Sequence, residues 1–257
     1  MSLGRCIYRE ENADAHLEIW DQDDCRSLWF DDVILQSEIH IQDPAVLPNP
    51  LNRAMLAHLM LGLPLTRVML AGCGGGAIAR WLHARAPEVA GDAIELSATV
   101  ARLAREYFDF PPLQSNWQLL VEDVREHLPH SNAQYDFILV DLEQDQTTPA
   151  WVTSPEFLKG CLERLSSQGV LTINLVLADD QAVSESLFRI RQVFGNEVFL
   201  VTEPDYDNLL VMAFCAKSVE IPPDDVLEER GKRWGMDFVT TTTRITRLAP
   251  KLEPVSG

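Results

Sequence analysis

Two apolar runs and a glycine loop stand close together in this chain. Val68-Met69-Leu70-Ala71 opens into Gly72-Cys73-Gly74-Gly75-Gly76-Ala77, and a second run ends in a carboxylate at Asp92-Ala93-Ile94-Glu95. Glycines permit a tight turn and let the amides at the N-terminus of a following helix approach a ligand. A carboxylate at the tip of the second strand can accept both hydroxyls of a ribose. Strand, glycine loop, helix, strand and acid therefore read as a nucleoside site, with Gly72, Gly74, Gly76 and Glu95 as its candidate contacts. Gly72-x-Gly74-x-x-Ala77 also satisfies a loose dinucleotide fingerprint, and a ligand-free glycine turn is the plain alternative.

Two more acids follow apolar runs: Asp123 after Leu119-Leu120-Val121-Glu122, and Asp141 after Phe137-Ile138-Leu139-Val140. Three carboxylate positions at successive strand tips would repel a pyrophosphate lying against the glycine loop. S-adenosylmethionine and its relatives carry a sulfonium and no phosphate, so nearby carboxylates attract rather than repel them. Each acid also has a structural reading, because Asp and Glu serve at caps and turns: Glu95 beside a helix N-cap, Asp123 capping a turn over 124–128, and Asp141 ending its strand in a solvated loop.

The elements that must hold these residues are legible from periodicity. Between 16 and 41, short strand-like runs are punctuated by Asp21-Gln22-Asp23-Asp24 and Asp31-Asp32, which predicts a β-hairpin or meander. Residues 51–61 have helical spacing and end at Gly62 and Pro64. Strands near 67–71, 91–95, 117–121, 135–140 and 169–176 then alternate with helices near 75–86, 97–107 and 154–166. This predicts a doubly wound, mostly parallel α/β sheet. A helix near 180–194 and strands near 197–201 and 209–215 would form an antiparallel far edge. Residues 224–233 read as an amphipathic helix, and the last ten as a tail. The division is thus 1–62 for an N-terminal β domain with its linking helix, 63–217 for the nucleoside-binding domain, and 218–257 for a C-terminal helix and tail. Met55, Met69, Trp81 and Trp117 read as packing residues. His58, His83, His127 and His130 lack partner ligands, so no metal is assigned.

The 257 residues carry 21 Lys plus Arg against 39 Asp plus Glu, a formal charge of −18. That excess disfavours a phosphate backbone, so no nucleic-acid partner is expected. Cys6, Cys25, Cys73, Cys161 and Cys215 are scattered and odd in number, which suggests neither a disulfide framework nor zinc, and fits a reducing cytoplasm. No apolar run approaches the roughly 18 residues of a membrane span, and the start lacks the apolar core of an export signal.

Over residues 16–216 the chain resembles the spermidine synthase (polyamine aminopropyltransferase) family. The matching pieces are Leu28-Trp29-Phe30-Asp31-Asp32-Val33-Ile34-Leu35-Gln36, Met55-Leu56-Ala57-His58-Leu59, the glycine loop, Glu95, Glu122-Asp123-Val124 and Tyr135-Asp136-Phe137-Ile138-Leu139-Val140-Asp141. The resemblance implies a small N-terminal β-hairpin domain on an S-adenosylmethionine-dependent methyltransferase-like Rossmann fold, commonly assembled as a homodimer or tetramer. It implies that Gln36, Glu95 and Asp123 contact the nucleoside, and that Asp141 is the general base on a gate loop. The co-substrate would be S-adenosylmethionine or its decarboxylated form, with an aminopropyl or methyl group passing to a small amine-type acceptor.

The chain departs from the family where amines are recognised. The glycine-loop Asp is Gly74, and the gate motif Asp-Ser-Ser-Asp-Pro is Asp141-Leu142-Glu143-Gln144-Asp145. The Tyr and Glu ahead of the Met-Leu-x-His segment are Asn52 and Ala54, and the acid two places after the ribose Glu is Ser97. Glu143, Gln144 and Asp145 remain as candidate acceptor contacts. Two other classes stay open: a non-catalytic nucleoside-binding or assembly protein on the same fold, and a nicotinamide-dependent oxidoreductase.

Overall fold

The computed structural model describes residues 4–11, 16–31, 34–195 and 197–248; Asp32 and Val33 of the N-terminal motif, and all of the expected tail beyond Leu248, lie outside them. Among these residues the N-terminal layer is an antiparallel sheet of four strands in chain order: β1 (Arg5–Glu11), β2 (His16–Gln22), β3 (Cys25–Phe30) and β4 (Ile34–His40). The expected meander is present, and β1 adds a strand to its edge. Alternation along the strands puts Leu17, Ile19, Leu28 and Ile39 on one face, each at most 4% exposed. That face closes over the larger domain.

Asn49 caps α1 (Pro50–Met55), its Oδ1 accepting the Leu51 N–H at 2.8 Å. The helix expected over 51–61 is two pieces, because after Met55 the chain tightens into a 3-10 segment, Ala57–Leu61. The C-terminal region causes this end. Arg230 donates to the Met60 carbonyl at 2.6 Å, and Gly62 turns left-handed at φ +64° beneath the same guanidinium.

The larger domain follows the predicted alternation: β5 (Arg67–Ala71), α2 (Ala77–Arg85), β6 (Ala90–Glu95), α3 (Ala98–Tyr107), β7 (Trp117–Val121), α4 (Val124–His130), β8 (Tyr135–Val140), α5 (Pro155–Arg164), β9 (Leu165–Leu175), α6 (Asp180–Phe194), β10 (Val198–Thr202) and β11 (Leu209–Phe214). Then come α7 (Asp224–Trp234), α8 (Phe238–Thr242) and β12 (Ile245–Leu248). The strand order is β12-β10-β11-β9-β8-β5-β6-β7. β7 to β9 pair in parallel, while β11, β10 and β12 pair antiparallel. Leu248, the first of the ten residues expected to form a tail, closes a strand and pairs with Val198. The four residues of this edge strand carry too short a pattern to announce it.

One core lies between the sheet and β1–β4, α1, α2, α3, α7 and α8; the other lies under α4, α5 and α6. Met55, Met69, Trp81 and Trp117 are buried in them, as expected. β5 and β8 are neighbours, yet the chain leaves β5 toward β6 and β7 and leaves β8 toward β9. That reversal is a topological switch point, where the two crossovers diverge and leave a crevice at the carboxyl ends of the strands.

Candidate functional site

The crevice is lined by the glycine loop after β5 and by Asp141 after β8. Asp141 donates its N–H to the Ala71 carbonyl at 2.9 Å, and Gly72 donates to Ile94 at 2.9 Å. Gly72 sits at φ +82°, and a Cβ there would lie 2.1 Å from the Asp141 carbonyl oxygen. Closure of the sheet demands glycine at this position before any ligand arrives. Gly74, at φ +49°, packs under β4, where an added Cβ would lie 3.0 Å from the Gln36 carbonyl. Gly76 meets the Phe110 ring. Gln36 is thereby placed against the loop through its backbone.

Strand alternation decides which acids meet. Ala93, Leu139 and Val170 point into the core beneath β1–β4, so at two-residue steps Glu95, Asp141 and Asn174 project on that same side. The Val140↔Ile173 register brings Asp141 level with Asn174.

Glu95 bridges two loops: Oε1 accepts the Ser97 N–H at 2.9 Å and Oε2 the Cys73 N–H at 3.3 Å. Burial pushes its carboxyl up, and the amides of Ser97, Cys73 and Gly74 oppose that. Ser97 in turn caps α3, so the structural and ligand-binding readings of Glu95 share one geometry. Asp123 likewise caps α4, accepting the Arg125 N–H at 2.8 Å, and pairs with the Arg125 guanidinium, which holds its carboxyl below the ordinary range.

Asp141 is open to the crevice, but the surrounding protein strips away enough water to push its carboxyl up, against a hydrogen bond from Asn174 Nδ2 at 2.8 Å. Glu143 feels that neighbour: burial first, then the Asp141 charge, raises its own carboxyl. Gln144 and Asp145 belong to a turn. Gln144 and Thr147 exchange backbone hydrogen bonds at 2.8 and 3.1 Å around left-handed Asp145 and Gln146, forming an exposed tight turn. Thr148 ties that turn to β9, donating its N–H to Val176 O and accepting the Val176 N–H, both at 2.8 Å. Of the three candidate acceptor contacts, Glu143 is the one brought to Asp141.

Sequence reasoning missed Asn174 and Asn208. Asn174 is 7% exposed, and a buried amide in the apolar run Val170-Leu171-Thr172-Ile173-Asn174-Leu175 is the signal that marks it. It also missed a cluster beside the crevice in which Tyr206 interacts with Glu38, Glu203 and Arg53. Tyr135 and Asp136, by contrast, start β8 a strand's length from Asp141. Tyr135 donates to Asp92 at 2.8 Å, and Asp136 accepts from Thr66 and Ser166. They tie the opposite end of the sheet. Among the described residues no three His, Cys, Asp or Glu side chains gather as a metal site requires, and no helix is long and apolar enough to cross a membrane.

Residues 68–169 match the methyltransferase domain family. A polyamine aminopropyltransferase of Neisseria meningitidis serogroup A is 27% identical over 226 residues, 86% of this chain and 85% of that protein. The chain is a relative of the polyamine aminopropyltransferases. Its place is in the transferase superfamily that these enzymes share with methyltransferases. The fold agrees with two solved structures. A probable spermidine synthase from Corynebacterium glutamicum superposes with a TM-score of 0.74 at 19% identity, covering 95% of this chain and 90% of that one. Human Methyltransferase-like protein 13 in complex with SAH gives 0.60 at 18% identity, covering 80% and 92%. The chain thus has the methyltransferase-like Rossmann fold with an N-terminal antiparallel sheet.

Proposed function

We propose that this chain binds an adenosyl sulfonium in the crevice at the switch point and transfers an alkyl group, aminopropyl or methyl, to a small amine-type acceptor. The observation that carries the reading is the convergence of Glu95, the glycine loop and Asp141 on one face of the sheet, with the Asp141 carboxyl raised by its surroundings. A carboxyl so raised accepts a proton more readily than an aspartate with its ordinary pKa.

In this reading Glu95 gives up its amide contacts with Cys73 and Ser97 to accept ribose hydroxyls, and the Gly72, Gly74 and Gly76 backbone lies along the nucleoside. Gln36 borders the same loop, and Asp123 stands at the next strand tip toward the adenine. Asp141 takes a proton from the acceptor amine, whose nitrogen then forms its bond to the carbon next to sulfur. The C–S bond breaks, and its electron pair leaves with sulfur as a neutral thioether. Glu143 supplies a second negative charge for an ammonium. Most of the rate comes from holding amine and carbon in line.

Gly74 bears on which group moves. The position has no carboxylate to hold an aminopropyl ammonium, and β4 crowds any side chain there. The same absence removes a charge that would repel the carboxylate of intact S-adenosylmethionine. Loss of one charged hydrogen bond weakens binding by roughly 1.5–3 kcal/mol.

Calorimetry with S-adenosylmethionine, its decarboxylated form, methylthioadenosine and NAD, followed by a turnover assay with amines, tests the proposal. Preference for the decarboxylated form supports aminopropyl transfer, and preference for the intact form supports methyl transfer. Binding without turnover leaves a non-catalytic nucleoside-binding protein. NAD binding alone, or no binding, overturns the reading.

A further inference from the structure

Asp141 does not stand alone at its strand tip. Asn174 Nδ2 donates to Asp141 Oδ1 at 2.8 Å, and Asn208 Nδ2 donates to Asn174 Oδ1 at 3.0 Å. The three residues sit side by side across the sheet: Asp141 ends β8, Asn174 lies level with it in β9, and Asn208 immediately precedes β11, whose Leu210 pairs with Asn174. The Asn174 backbone is fixed as well, since Thr148 Oγ1 donates to its carbonyl at 3.3 Å.

We propose that Asn174 and Asn208 are positioning residues for Asp141: Asn208 sets which way the Asn174 amide faces, and Asn174 thereby always presents an N–H to the carboxylate. The physical reason is the two-ended nature of an amide. An ionised carboxylate only accepts hydrogen bonds, so it needs the NH₂ end of Asn174. Flipping Asn174 would set its oxygen against the Asp141 carboxylate and its NH₂ against the Asn208 NH₂, two repulsive contacts at once. With the Asn208 NH₂ turned toward it, the amide has one favourable orientation. This hydrogen bond stabilises the ionised form of Asp141 against the burial that opposes it.

The charged groups near this relay act separately from it. Glu143, on the loop of Asp141, acts through space. Glu95, beyond the glycine loop, is engaged by loop amides. Glu38, Arg53 and Tyr206 form their own cluster on β4, α1 and the loop that leads to Asn208. The relay's importance for turnover rests on the reading of Asp141 as the base; its geometry does not.

The test is carboxyl NMR of the full-length, ligand-free protein labelled with ¹³C-aspartate, with the Asp141 signal assigned by its loss in Asp141→Asn. Asn174→Leu, close in size but without a donor, should raise the Asp141 titration midpoint by about one pH unit, the tenfold effect of a lost charged hydrogen bond. Asn208→Ala should move it in the same direction by less, because the freed amide then samples both orientations. Asn174→Gln, which keeps the amide, should recover part of the shift and shows that the Asn174→Leu effect is not collapse of the strand. An unmoved midpoint in Asn174→Leu or in Asn208→Ala overturns the relay. If Asp141 is the base, the acid limb of kcat/KM moves with the NMR midpoint in each variant. Midpoints that shift while no turnover exists would keep the relay and sink the catalytic assignment.

Discussion

His58 should make the stability of this protein unusually sensitive to acid. Its ring is 3% exposed, stacks on Phe137 with centroids 3.9 Å apart, and has no hydrogen-bond partner for either nitrogen among the described residues. Burial alone lowers its pKa from 6.5 to about 3. The unfolded chain therefore binds a proton at His58 below pH 6.5, whereas the folded chain resists it until about pH 3. Stability is lost as the pH falls through that window. Each pH unit is worth about 1.4 kcal/mol, so the penalty is about 2 kcal/mol at pH 5 and about 4 kcal/mol at pH 3. His58→Leu keeps an apolar side chain of similar size in the core and removes the titration. Urea unfolding of both proteins at pH 7.5 and pH 5.0, followed by circular dichroism, isolates the effect because every other titrating group is common to the pair. The stability difference, variant minus parent, should rise by about 2 kcal/mol in favour of the variant at the lower pH. A difference that stays constant between the two pH values would refute the reasoning, since it would mean that His58 takes up its proton equally in both states.

Three further outcomes follow from the site. Asp141→Asn should lower turnover by roughly a hundredfold to ten-thousandfold while calorimetry shows the adenosyl ligand still binding; comparable turnover would remove Asp141 from the chemistry. Glu95→Gln should weaken nucleoside binding about tenfold to a hundredfold, the effect of trading a carboxylate for an amide against ribose hydroxyls. Unchanged affinity would leave Glu95 as a loop bridge only. Gly72→Ala places a Cβ 2.1 Å from the Asp141 carbonyl at a φ of +82°, so it should cost about 3–5 kcal/mol in urea unfolding; a midpoint equal to the parent's would contradict the packing described at the switch point.

What the sequence determined by itself is the order of elements and the residues that end them. The parallel strands announce themselves as apolar runs that lead into Gly72, Glu95, Asp123 and Asp141, because buried strands need apolar residues on both faces while their carboxyl ends return to polar surroundings. Glu95, Asp123 and Asp141 were legible as strand-tip acids for that reason, as was the glycine loop. What only the tertiary structure decided is which of these residues share a space. The register between β8 and β9 sets Asp141 beside Asn174, 33 positions later in the chain, and the loop before β11 brings Asn208. The bridge between Gln144 and Thr147 holds Gln144 and Asp145 in an exposed turn, while Glu143 feels the Asp141 charge. Arg230, from the C-terminal helix, ends the segment at Gly62, and β12 completes the sheet from residues whose pattern is too short to read. Periodicity is a local property carried by neighbours in the chain, whereas pairing register, crossover direction and the meeting of loops depend on how distant segments bury one another's surfaces.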